Sequence, residues 1–147
     1  MQPLNQLQRQ IDLRMRTLRT LWIALLLSVS VYYVLTLFLR RSEDLRSNPA
    51  LSLILAVIAI SAILSSLIIK SRVLKRATEQ QQVSLVQQAY ILAWAVTEVA
   101  AMMGLLDFLI TNDRYYYGFF IIAGFGQLVH FPKREHVENA SFKSSIG

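Results

Sequence analysis

The sequence predicts an all-α, polytopic membrane protein: four transmembrane helices behind a basic amphipathic N-terminal helix, with both termini cytoplasmic. Three observations carry that expectation. The chain has 147 residues, 54% of them hydrophobic and only 16% charged, a balance on the membrane side of ordinary globular usage. Its apolar residues gather into four runs near the length that crosses a hydrocarbon core, about 20 residues at 1.5 Å each. Its cations lie between those runs and are shared unequally between alternate gaps.

Residues 1–20 form the amphipathic segment. Within "LNQLQRQIDLRMRTLRTL", Leu4, Leu7, Ile11, Met15 and Leu18 recur at spacings of three and four, and Arg9, Arg14, Arg16 and Arg19 fill much of the remainder. Such a helix lies on the membrane surface or continues into the first span, with a docking role toward a partner as the alternative. The four-helix bundle occupies 21–131. Its first span, 21–39, reads "LWIALLLSVSVYYVLTLFL" and stops at Arg40-Arg41. It exceeds the apolar core of a signal peptide and no convincing small-residue cleavage site follows, so a retained anchor is expected. The second span, 50–69, is reached through Asn48-Pro49 and ends at Lys70. The third covers about 85–111, and the fourth, 115–131, ends at Pro132. Within lipid each must be helical, because a helix satisfies its own backbone polar groups. The intervening "SRVLKRATEQQQVSLVQQ" has no Gly or Pro, which predicts a helical hairpin extending beyond the membrane. Residues 132–147 form a polar tail.

Orientation follows from the cations. Arg9, Arg14, Arg16, Arg19, Lys70, Arg72, Lys75, Arg76, Lys133, Arg134 and Lys143 fall on one side, eleven against the four of Arg40, Arg41, Arg46 and Arg114. The richer side is expected to be cytoplasmic. The formal net charge of +6 therefore reads as membrane-flanking charge rather than as a nucleic-acid surface. The absence of cysteine excludes disulfides, thiolate metal sites and thiol nucleophiles. No phosphate loop, dinucleotide fingerprint, zinc motif or nucleophile elbow occurs, so no enzyme is expected. Trp22, Tyr32, Tyr33 and Tyr115-Tyr116-Tyr117 fit an interfacial aromatic belt.

The stretch "AWAVTEVAAMMGLLDFLI" places Glu98 near the midplane of the third span. Acidic residues there cost about 2.5–3.5 kcal/mol on insertion scales, so the side chain should face protein or trapped water. Gln87, eleven positions earlier, falls near the same helical face, and Thr97 is adjacent; these three are the candidate ion- or proton-binding residues. The neighbouring face carries Ala89, Ala93, Thr97, Ala100 and Gly104, and the second span carries Ser52, Ala56, Ala59, Ala62 and Ser66. Two stripes of small residues predict close packing between these spans.

With its carboxylate among alanines and Gly104-Leu105 shortly after, "AYILAWAVTEVAAMMGLLDFLI" resembles the carboxylate-bearing helix of the proteolipid (c) subunits of rotary ATPases. The likeness covers about residues 50–110. It implies a helical hairpin and, at Glu98, a carboxyl that exchanges protons. The chain departs from the family pattern in having no glycine over 50–69, a longer polar hairpin loop, and a basic N-terminal segment. The alternatives at Glu98 are a hydrogen bond across a helix interface and an ion or substrate path of another transporter class.

Asp107 follows Glu98 by nine residues, half a turn out of phase and about 13 Å along the axis. The two cannot form a carboxylate pair, and Asp107 is expected at the interface. His130 closes the fourth span with Gly126 one turn before it. A histidine above a glycine gap can ligate a tetrapyrrole metal, although hydrogen bonding at the boundary is the commoner role. His136 lies beyond Pro132 and makes a poor metal pair with His130, so no metal site is expected. The expected function is that of a small accessory or assembly subunit in a bacterial inner or organellar membrane. It would be embedded in the bilayer beside other subunits or copies of itself. A homo-oligomeric proton or cation carrier and a tetrapyrrole-carrying subunit are the alternatives.

Overall fold

The computed structural model describes residues 2–39, 48–111 and 113–141, and every regular element among them is an α-helix. Arg40, Arg41, Arg46, Lys143 and the end of the tail lie outside the described residues, as do the side chains of Leu4 and Leu7. The elements are α1 (Gln2–Phe38), α2 (Pro49–Gln80), α3 (Val83–Ile110), α4 (Tyr117–Val129) and α5 (Arg134–Ser141).

The amphipathic segment and the first span are one helix. α1 has 37 residues, about 55 Å of continuous rod. Its only proline, Pro3, sits in the first turn, where the missing N–H has no helical partner to lose. Ile11, Met15 and Leu18 are buried, but not in a bilayer: they pack with Ala77, Val86, Tyr90, Trp94, Val137 and Ala140. These three residues of the apolar stripe are thus covered by the chain's own helices.

α2 begins with a cap. The Asn48 side chain accepts the Leu51 N–H at 3.2 Å and Pro49 occupies the first helical position, the expected chemistry of a helix start. The helix runs on past Lys70 to Gln80, and α3 starts at Val83. Gln81 turns the chain in the left-handed region (φ 53°), and the Gln82 N–H reaches the Ala77 carbonyl at 3.0 Å. The polar loop is therefore a helical hairpin with a two-residue turn. On α2 and α3, Ala59, Ser66, Ala89, Ala93, Thr97, Ala100 and Gly104 are buried, while Ser52, Ala56 and Ala62 are half-buried. Leu53, Ile54, Val57 and Leu64 of α2 and Leu27 and Leu37 of α1 face outward, as a lipid-facing surface requires.

α4 has 13 residues, about 20 Å, against a hydrocarbon core of about 30 Å. The run 115–131 is thus a shorter helix flanked by turns. Three stretches, Gln8–Phe38, Pro49–Gln80 and Val83–Ile110, have the length and apolarity to cross a membrane.

α4 returns antiparallel along α3 through three contacts spaced by seven residues on each side. A methyl group on Gly104 would lie 2.7 Å from Phe119 Cβ, and one on Gly126 would lie 2.7 Å from Thr97 Cγ2. The third contact is the Tyr90 hydroxyl, which accepts the Lys133 N–H at 2.9 Å. This seam fixes the position of α5. Val137 and Ala140 join the same core as Ile11 and Met15, so both terminal segments pack at one end of the bundle. An ion pair between Arg134 and Asp12 (3.1 Å) spans α5 and α1 there, but an exposed pair contributes about 0–1 kcal/mol at most. A second core, with Val29, Leu55, Ala59, Ala100, Phe119 and Phe120, fills the other end.

The seam generates a mutational contrast. Gly104→Ala and Gly126→Ala should each destabilise by about 1–3 kcal/mol, because a β-carbon meets a group that cannot swing away. Thr97→Ser removes the obstructing methyl and should restore most of the loss in Gly126→Ala. Gly118 and Gly124 have open space at the same position, so alanine there should leave the melting temperature unchanged or slightly raised. Thermal melts in one detergent compare all five. Gln81→Gly should stabilise by about 0.5–1 kcal/mol, since it relieves a left-handed non-glycine residue; a lower melting temperature would contradict this account of the turn.

Candidate functional site

The membrane carboxyl of α3 is held by α1. The Ser28 hydroxyl donates to Glu98 Oε1 at 2.6 Å, and the Tyr32 hydroxyl lies close to the same side chain. Ser28 and Tyr32 are one turn apart, so a single face of α1 supplies both hydroxyls. Glu98 is half-buried at this edge of the bundle.

The other residues expected to join it do not. Gln87 is half-buried eleven residues away, about 16 Å along the axis. Thr97 is buried on the opposite flank, its hydroxyl shared between the Ala93 carbonyl (2.8 Å) and Ser66 Oγ (3.3 Å). Glu98, Gln87 and Thr97 are therefore not one site. Helical phase placed Gln87 on the right face but ignored the axial rise. Asp107 is buried within the protein near the end of α3. The Thr111 hydroxyl donates to its Oδ1 at 2.7 Å, and Oδ2 has no hydrogen-bond partner among the described residues.

A second polar cluster forms where α2, α3 and the end of α4 meet. Ser66, Thr97, Gln127 and His130 are all fully buried. Two indoles close the C-terminus of α4, where the last carbonyls lack helical partners. Trp22 Nε1 donates to the Gln127 carbonyl at 2.8 Å, and Trp94 Nε1 to that of His130 at 3.1 Å. Gln127 Nε2 donates back to the Trp94 carbonyl at 3.3 Å. Ser66 Oγ lies 2.7 Å from His130 Nε2 while donating its hydrogen to the Ile63 carbonyl at 2.6 Å. That assignment puts the imidazole proton on Nε2. His130 Nδ1 and Gln127 Oε1 have no hydrogen-bond partner.

This geometry does not fit the tetrapyrrole expectation. Nε2 is engaged by Ser66. Gly126 lets α4 touch α3 at the Thr97 methyl, and the open space it borders lies between α2 and α4. Among the described residues, no group of three or more His, Cys, Asp or Glu side chains could hold a metal ion. Ser66 and Thr97 were legible in the sequence as small packing residues. Gln127 and the two indoles were missed as partners, although a polar side chain three residues before His130 in an apolar run was the available signal.

At the basic end of the bundle the Tyr90 hydroxyl is a relay point. It accepts the Lys133 N–H, so its own hydrogen points to His136 Nδ1 at 2.7 Å. Lys70 Nζ sits 4.6 Å from the Tyr90 ring centroid, a cation–π distance.

These features describe an integral membrane protein, helical throughout its described residues, in which Ser66, Gln127, His130 and Glu98 each make a bond to another helix. No protein-family model, curated protein sequence or solved structure matches the chain.

His136 supplies a pH test. Burial lowers its pKa below the ordinary 6.5; Lys70 and Lys133 add to the lowering and Glu135 opposes it. Neutral His136 is thus favoured in the folded state, and below about pH 6.5 the unfolded chain takes up the proton first. Stability contributed by this group is complete above that value and declines as pH falls through it. The melting temperature should drop between pH 7.5 and 5.5, and His136→Asn should make the drop smaller. An identical drop in the variant would assign the pH dependence elsewhere.

Proposed function

We propose that the chain is a small, non-enzymatic integral membrane protein acting as an accessory or assembly subunit of a larger membrane complex. In this reading α4 and its flanking turns complete a fourth crossing, and both termini are cytoplasmic. One observation carries it. The polar side chains in the membrane layer are engaged chiefly with neighbouring helices: Glu98 with Ser28, Ser66 with Thr97 and His130, Gln127 with Trp94. Such bonds hold helices in place and leave no convergent set of groups for chemistry. The same-end packing of α5 and the start of α1 supports common sidedness, and ten of the cations named above flank that end.

A second reading, a proteolipid-like proton carrier, draws on the half-exposed position of Glu98 at the edge of the bundle. A carboxyl there can meet a neighbouring chain.

Native purification in mild detergent tests the first reading; co-purifying subunits are expected, and a lone monomer overturns it. Glu98→Gln separates the two. The amide keeps a donor and an acceptor, so stability should change by no more than about 0.6 kcal/mol, the average of interhelical hydrogen bonds in membrane bundles. The parent complex should retain activity. Lost activity with an unchanged melt, together with pH-dependent carbodiimide labelling of Glu98, would establish the carrier instead.

A further inference from the structure

α2 and α4 leave a groove between them on the lipid-facing side. It has a volume of about 350 Å³ and is lined by Ile63 and Leu67 of α2 and Ile122, Phe125 and Val129 of α4, with His130 at its end. No polar surface interrupts it. Leu67 leads, one turn further on, to Lys70, and Val129 leads through His130 to Lys133. The apolar groove therefore ends between two lysines.

Those lysines lack anionic partners. Among the described residues, the ion pairs join Lys75 to Glu79 and Arg134 to Asp12 and Glu138, and neither Lys70 nor Lys133 takes part. Lys70 is half-buried over the Tyr90 ring, and Lys133 is anchored by its own N–H on the Tyr90 hydroxyl. One tyrosine thus carries the Lys70 ammonium over its ring and the Lys133 backbone on its hydroxyl, which brings the two lysines to the same end of the groove. Like charges held together at a membrane boundary, without a carboxylate between them, make a site for a dianionic or monoanionic oxygen group. The apolar groove directly below identifies where the rest of the ligand lies.

We infer that this groove binds an anionic phospholipid, its phosphate between Lys70 and Lys133 and one acyl chain against Ile63, Leu67, Ile122, Phe125 and Val129. A zwitterionic lipid would bring its own cation to the lysine pair and bind less well. Free phosphate would leave the apolar length unused. The inference stands apart from the accessory-subunit reading, since either a subunit or a carrier can hold a structural lipid.

The test uses the full chain in mild detergent, titrated with phosphatidylglycerol or with phosphatidylcholine of the same acyl chains, and read by native mass spectrometry. Lysines near a membrane surface contribute about fivefold each, so the anionic lipid should bind roughly 25-fold tighter. Lys70→Gln with Lys133→Gln should bring the two lipids within about threefold of each other, whereas arginine at both positions preserves the preference. Arg72→Gln with Lys75→Gln, an equal loss of charge on the exposed part of α2, should leave it intact. Ile122→Trp, which fills the groove, should weaken both lipids. The inference is overturned if wild-type protein holds the two lipids equally or if the control pair matters as much as the lysine pair. It also fails if inorganic phosphate alone displaces the lipid, or if Ile122→Trp changes only self-association.

Discussion

The arrangement depends on how closely α4 approaches α3. Where Gly104 meets Phe119 and Gly126 meets Thr97, the backbones are too near for a β-carbon on the glycine. Helices in lipid gain nothing from hiding apolar surface that hydrocarbon would cover equally well, so their association rests on close van der Waals contact and interhelical hydrogen bonds. Each helix contributes one glycine to the seam. Seven residues further along, the same register delivers Lys133 to Tyr90. A wider spacing would separate Gln127 and His130 from Trp94 and Ser66, and would lift α5 off the start of α1.

The two ends of the bundle are held by different physics. At the basic end, Ile11, Met15, Leu18, Val86, Tyr90 and Val137 form a core beside the chain's cations. Where such a core faces water, burial contributes about 25 cal/mol for each Å² of apolar surface removed from it. At the other end, Val29, Ala59, Ala100, Phe119 and Ala123 pack where surrounding lipid provides little such drive. That core is correspondingly richer in alanine. α1 and α3 cross both regions, and the level of Trp22 and Trp94 marks the transition. The indoles suit it, with an apolar body and one N–H that finds a carbonyl at the end of α4.

Much of the architecture was legible because it follows from period and composition. The three long helices, the hairpin at 70–88, the Asn48-Pro49 start and the inward faces of α2 and α3 could be read from spacing alone. The short α4 was less legible, because the apolar run continues through Tyr115, Tyr116 and Phe131 although the helix covers only Tyr117–Val129. Hydropathy cannot distinguish a helical tyrosine from one in a turn. The fate of the Ile11–Met15–Leu18 stripe was ambiguous for a related reason. An amphipathic face states that it will be buried, not whether lipid or protein will bury it. The site was the least legible part. Glu98 was conspicuous, but its partner Ser28 is seventy residues away on another helix. No local pattern could pair them.

The polar groups divide by position in a way that bears on what the bundle can do. Ser66, Thr97, Gln127 and His130 lie at its centre, where moving any one of them would strand the others in an apolar surrounding. Glu98 lies at the edge, where its hydroxyl partner Ser28 is on α1. Central groups must keep their bonds for the seam to persist. An edge group can exchange partners with a neighbouring chain at little cost to that seam. Asp107 is a third case: its carboxyl is buried and one oxygen lacks a hydrogen-bond partner, yet its neighbour Thr111 lies on the same helix. A bond made within one helix does not fix the position of another. The interhelical polar contact nearest the outside of the bundle is therefore the one between α1 and α3.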